Sequence, residues 1–133
     1  MASDPSNDPL RTSTRGVTID DVCEVAGRLP RAYEVVVRGR LKFRVGRIVW
    51  LAFSANETEM GFAFPKELRE ALVESDPDVF RMPGPADLKY NWAVARLGAI
   101  DRDEMRDLVL EAWSMVVPQQ VVDDFLREND ALD

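Results

Sequence analysis

The chain has 133 residues, 46% of them hydrophobic, and a formal net charge of -7, enough for one sizeable core and too short for two independent domains. Its longest unbroken apolar run, Ile48 to Phe53, falls far short of the roughly 20 apolar residues that a membrane-spanning helix requires. Cys23 is the only cysteine and histidine is absent altogether, which excludes an intrachain disulfide, a zinc site and the usual base for a Cys or Ser nucleophile.

Residues 1–16 are rich in Ser, Asp, Pro and Thr and contain no apolar segment. They read as a mobile tail rather than a secretory signal, and with a lone cysteine they point to a cytoplasmic protein. From Thr18 to Arg28, Val22, Val25, Ala26 and Leu29 recur at helical spacing, with Thr18 as N-cap and Asp20 and Asp21 in the first turn. This helix ends near Pro30. From Tyr33 the period becomes two, and Gly39 and Gly46 divide the run into strands over Tyr33 to Arg38, Leu41 to Val45 and Ile48 to Ser54. A two-residue turn at Gly46 and Arg47 would pair Val45 with Ile48, Phe43 with Trp50 and Leu41 with Ala52, making one face wholly apolar.

Glu59 to Phe64 alternates as a fourth strand. Pro65 suits the first turn of a helix to Ser75, with Leu68, Ala71 and Leu72 inward. Asp76 and Pro77 end that helix. The stretch from Asp78 to Lys89, with Pro83, Gly84 and Pro85, predicts a connection without helix or strand. Asn91 to Leu97 alternates as a further strand, and Asp101 with Glu104 makes a capping-box start for a long helix. Its apolar stripe is Met105, Leu108, Val109, Ala112, Trp113 and Val116, ending before Pro118. Residues 119–133 form a final acidic segment, as a short helix to Asn129 or a tail. The expected domain is therefore residues 17–118: an α+β fold with an antiparallel sheet of about five strands covered on one face by helices, in the order α-β-β-β-β-α-β-α.

The net charge hides a polarised distribution. Between Arg28 and Arg47 there are seven cations against the single Glu34, whereas from Asp101 onward ten acids face three arginines. In the hairpin, Lys42 and Arg44 point away from the apolar face, near Arg38 and Arg40. Such a basic strand is either a solvated, aggregation-resistant face or a surface for phosphates. The opposite charges also allow the acidic end to fold over the basic strands.

No other constellation carries chemistry. The adjacent acids Asp20 and Asp21, like Asp101 and Glu104, occupy helix-start positions; Asp76 with Asp78 and Asp123 with Asp124 are only neighbours in sequence. Neither a phosphate-binding loop nor a dinucleotide fingerprint is present. Ser54, Ser75 and Ser114 have no histidine partner. Phe43, Trp50, Trp92 and Trp113 fall on the inward faces, where aromatic residues build cores.

Several short passages, in order, resemble the MmcQ/YjbR family from Val17 to Pro118. They are Leu29-Pro30 after the first helix, the Lys42-Phe43-Arg44-Val45-Gly46-Arg47 turn, the strand-Pro-helix passage from Gly61 to Leu72, Asn91-Trp92-Ala93-Val94, and the Asp101 to Val117 helix with Ala112-Trp113. The resemblance implies a fold similar to secretion chaperones and DNA binding through a double-wing sheet, whose positions here are Arg38, Arg40, Lys42, Arg44 and Arg47. Three departures stand out: Arg31 where members usually have Gly, Arg47 where they usually have Lys, and an acidic tail after Gln119 and Gln120 where basic residues are common. The expected function is non-enzymatic DNA binding, with duplex DNA as partner and no cofactor, metal or membrane. The alternative is a protein-interaction or self-associating module that uses Val49, Leu51 and Phe53 beside the basic residues.

Overall fold

The structure is a computed structural model that describes residues 16–132, with side chains described to residue 129. The expected N-terminal tail, apart from Gly16, lies outside the described residues. Gly16 is tied into the domain by its N–H, which donates to the Ile100 carbonyl at 2.8 Å, and the Val17 N–H donates to Leu97 at the same distance.

Helix α1 spans Ile19–Ala26. Thr18 caps it as expected: the Thr18 hydroxyl accepts from the Asp21 N–H, and the Asp21 carboxylate accepts from the Thr18 N–H at 2.9 Å. The chain then enters strand β1 (Ala32–Val37), followed by β2 (Arg40–Val45), β3 (Ile48–Phe53) and β4 (Glu59–Ala63). Helix α2 is Lys66–Ser75, β5 is Phe80–Arg81 and β6 is Trp92–Arg96. Helices α3 (Arg102–Ser114) and α4 (Gln119–Leu132) complete the chain. Asp101 and Glu104 form the capping box at the start of α3, with the Glu104 N–H to Asp101 carboxylate bond at 2.8 Å.

All strand pairs are antiparallel, in the order β1-β2-β3-β4-β6-β5. The sheet therefore has six strands rather than about five. The additional strand, β5, and a turn of 3-10 helix over Pro85–Asp87 lie in the connection expected to hold neither. A two-residue strand leaves no periodic trace in a sequence. It forms because Phe80 buries itself against Phe62 (ring centroids 6.5 Å apart) while Arg81 reaches Glu59 at 3.1 Å.

The core lies between one face of this sheet and the helices. Phe43, Leu51, Phe53, Met60, Phe62, Ala93 and Ala95 from the strands meet Val22, Ala26, Val109, Ala112 and Trp113 from α1 and α3. The register of the central hairpin differs from expectation. Val45 does pair with Ile48, but the register shifts between Phe43 and Arg44, so that Phe43 faces Leu51 and Lys42 faces Ala52. Trp50 is the extra residue of a β-bulge. The bulge lets Trp50 and Leu51, successive residues, both be fully buried, and it inverts the alternation along the rest of β3. Leu51 and Phe53 are thereby core residues, not the exposed patch that the interaction reading required.

Helix α2 also turns differently. Leu68 and Ala71, expected inward, are exposed, whereas Leu72 and Val73 are half-buried and Arg69 is 6% exposed. The C-terminal helix α4 buries Val122 and sets Phe125 edge-on to Trp113 at 5.4 Å. It thus packs with the helices, and the acidic segment does not fold over the basic strands.

Candidate nucleic-acid interface

Because side chains alternate along a strand, the register assigns each basic residue of β2 to a face. Arg40 pairs with Val37, Lys42 with Val35 and Ala52, and Arg44 with Tyr33 and Val49. These residues are on the face away from the helices. Arg40, Lys42 and Arg44 are consecutive positions on that open face, about 7 Å apart. Arg38 and Arg47 belong to the two hairpin turns at opposite ends of β2, which spans about 17 Å. The five cations are therefore strung along one strand and its two turns.

The turns account for their own geometry. Arg38 and Gly39 both take positive φ, 53° and 77°, as a two-residue type I′ turn requires. Gly46, at φ 60°, leads the second hairpin, and the Tyr33 hydroxyl donates to its carbonyl. Arg38 and Arg47 are exposed, Lys42 and Arg44 half-buried. Arg40 is anchored through its Nε, which donates to the Phe53 carbonyl at 3.2 Å. The Arg44 Nε is sealed from solvent without a hydrogen-bond partner. Among the described residues, no acid forms an ion pair with any of the five: the pairs present are Arg28–Glu24, Arg81–Glu59, Arg102–Asp21 and Arg127–Asp124.

Beside the cations the open face is hollow. A groove of about 650 Å³ runs from Arg40 and Lys42 across Ala52 and Gly61 to Tyr90 and Trp92. Trp92 is not in the core, as its alternating position suggested; it is half-buried on the open face, lying across Gly61. A Cβ at residue 61 would stand 2.6 Å from the Trp92 Nε1, so only glycine admits the ring there.

The segment carrying Tyr90 and Trp92 is held from beneath by Arg69. Its Nη1 donates to the carbonyls of Tyr90 (3.0 Å) and Trp92 (2.9 Å), and its Nη2 donates to Leu88 at 2.8 Å. Three of the four N–H donors on its two terminal nitrogens go to carbonyls, which fixes the segment's course, while its Nε is buried without a partner. Asn91 adds a second tie, its Oδ1 accepting from the Lys66 N–H at the start of α2 (3.0 Å). Nothing in the local pattern of α2 marked Arg69 as an inward residue; its only sequence signal is a position one turn before the half-buried Val73.

The remaining reactive groups are accounted for by structure. Burial, aided by the neighbouring carboxylates of Glu34 and Asp20, pushes the Cys23 thiol up to about 11, which disfavours the thiolate. The backbone N–H of Thr18, then its hydroxyl and Arg102, hold the Asp21 carboxyl below its ordinary range, against a smaller opposing effect of burial. Among the described residues no group of three or more Cys, Asp or Glu side chains is placed to hold a metal ion, and no helix is long and apolar enough to cross a membrane.

Among solved structures, the chain is similar to the crystal structure of Deinococcus radiodurans protein DR2400, with its domain DUF419. The match has a TM-score of 0.67 and 19% identity and covers 78% of this chain and 81% of that one. At that identity the likeness speaks for the fold. No curated protein matches. A family model described as YjbR matches residues 27–115, a span from the end of α1 to the end of α3 that takes in the whole sheet, and the chain belongs to the YjbR family.

Proposed function

We propose that this chain is a non-enzymatic DNA-binding protein whose basic sheet face contacts duplex phosphates through Arg38, Arg40, Lys42, Arg44 and Arg47. The observation that carries the reading is the run of three cations on consecutive open-face positions of β2, with no acidic partner among the described residues. Unpaired cations at that spacing gain from releasing counterions off a polyanion. The acidic helix α4 packs on α3 through Phe125 and Trp113 rather than over β2, and of the two acids that border the groove, Glu59 and Asp87, Glu59 is paired with Arg81. The two hairpin turns extend the cationic strand at both ends, which suits contacts that position a duplex without reading its bases.

The test is binding of the purified protein to a mixed-sequence duplex across a salt series, beside a variant with Arg38, Lys42 and Arg47 changed to Glu. These positions avoid Arg44, whose Nε is sealed from solvent. Binding that weakens steeply with salt and disappears in the variant is the expected result. Absence of duplex binding even at low salt removes the reading.

A second reading, self-association, is favoured by one feature. β1 is an edge strand, with Val36 69% exposed and Tyr33 44% exposed, and an apolar edge is a template for pairing with another chain. A mass that rises with concentration and returns to the monomer value in Val36→Lys would support it. A constant monomer mass would remove it.

A further inference from the structure

We propose that the open-face groove is a base-stacking site for an unpaired nucleotide of a single strand, with Trp92 as the stacking platform and Lys42 as the phosphate contact. This rests on the nucleic-acid reading above and narrows it: the groove itself takes single-stranded rather than duplex chains.

The argument starts from one row of the sheet. Lys42 pairs with Ala52, Ala52 with Gly61, and Gly61 with Val94, so these four residues lie side by side across four strands. Two strand spacings separate Lys42 from Gly61, about 10 Å. Only Ala52, with its single methyl group, stands between Lys42 and Gly61, the residue that the Trp92 ring covers, which leaves the groove open between the cation and the indole. An indole over Gly61 and a lysine about 10 Å away across the strands suit a base and its phosphate.

Trp92 is suited to be the platform. One face of its ring rests on Gly61, while the residue lines the groove and is only half-buried. Trp50 and Trp113 are fully buried in the core. The buried Arg69 holds the backbone of the strand entry by three hydrogen bonds, to Leu88, Tyr90 and Trp92, and the ring is seated on Gly61, so little ordering remains at binding. Arg40 stands at the same wall as Lys42, fixed by its Nε and with both terminal amino groups free of partners among the described residues. In a duplex the bases are stacked on one another and their faces are closed to an indole, so only an unpaired nucleotide engages Trp92.

The test compares the full chain with its Trp92→Ala, Trp92→Phe and Lys42→Ala variants. The probes are a fluorescein-labelled oligo-dT strand, a duplex containing the same strand, and thymidine monophosphate. Oligo-dT should quench the tryptophan emission of the unaltered protein, since Trp92 is the one indole outside the core. Trp92→Ala should weaken oligo-dT binding about tenfold or more, Trp92→Phe should retain most of it, and duplex affinity should be the same in both. Equal affinities of the unaltered protein and Trp92→Ala for oligo-dT overturn the inference while leaving the duplex reading intact. Thymidine monophosphate binding as tightly as oligo-dT overturns the strand assignment and makes the free nucleotide the ligand. Failure of both strand and duplex to bind overturns this inference and the duplex reading together. Loss in Trp92→Ala with retention in Trp92→Phe separates stacking from a folding defect.

Discussion

The Trp113 indole N–H donates to the Pro30 carbonyl at 2.9 Å, joining α3 to the turn between α1 and β1. The ring is fully buried and also meets Phe125 of α4, so one side chain links three segments distant in sequence. Trp113→Phe keeps an aromatic ring and removes the donor, leaving the Pro30 carbonyl without its partner. The expected cost is about 1–3 kcal/mol, read as a lower urea midpoint with an unchanged slope. An unchanged midpoint would show that water replaces the bond.

The next residue along that turn is strained. Arg31 has φ 69°, in the left-handed region that disfavours side chains. Arg31→Gly should therefore stabilise the protein by about 0.5–1 kcal/mol, after allowing for the greater freedom of glycine in the unfolded chain. Thermal unfolding checks this, and a lower midpoint would mean that the Arg31 side chain supplies more than its backbone costs.

Arg69 makes a different kind of prediction because its bonds hold a segment rather than the core. Arg69→Met retains the apolar stem and deletes the three bonds to Leu88, Tyr90 and Trp92. Stability should fall by about 1.5–3 kcal/mol, and hydrogen exchange should quicken first between residues 85 and 92. Uniform acceleration over the whole sheet would contradict the local role.

Cys23 sets an alkaline limit. Its thiol is pushed up to about 11 from an ordinary 9.0, chiefly by burial. The folded state therefore favours the neutral thiol, and this contribution is complete below pH 9 and is lost as the pH rises through 11. Alkylation by iodoacetamide at pH 8 should be slow until the protein is unfolded. Cys23→Ala should lose less stability than the unaltered protein between pH 9 and 11; parallel losses would place the alkaline transition elsewhere.

The Thr18 cap, the Asp101–Glu104 capping box and the strand periods were legible from residue type alone. Thr18 with Asp21 and Asp101 with Glu104 act over three residues, so the helix starts they mark depend on nothing remote. The two hairpins follow from Gly39 and Gly46 and from period-two runs on either side. The candidate site was half legible. Lys42 and Arg44 were correctly placed opposite the apolar face, but Trp92 was assigned to the core because an alternating pattern distinguishes the two faces of a strand without saying which one the helices cover. Leu51 and Phe53 were assigned to the surface because a bulge at Trp50 inverts the alternation, and the bulge is set by packing across β2 and β3.

By itself the sequence determined the order of the longer elements as far as α3, the polarised charge and the lack of histidine chemistry, because each depends on residue identity or spacing within a few positions. Only the tertiary structure decided that Gly61 lies beneath Trp92, that Arg69 is buried against three carbonyls, that a two-residue β5 closes the sheet edge, and that the acidic α4 stays with the helices. Those arrangements join residues more than twelve positions apart, or depend on contacts made by such residues, and they form because the alternatives leave apolar surface exposed or buried polar groups unpaired.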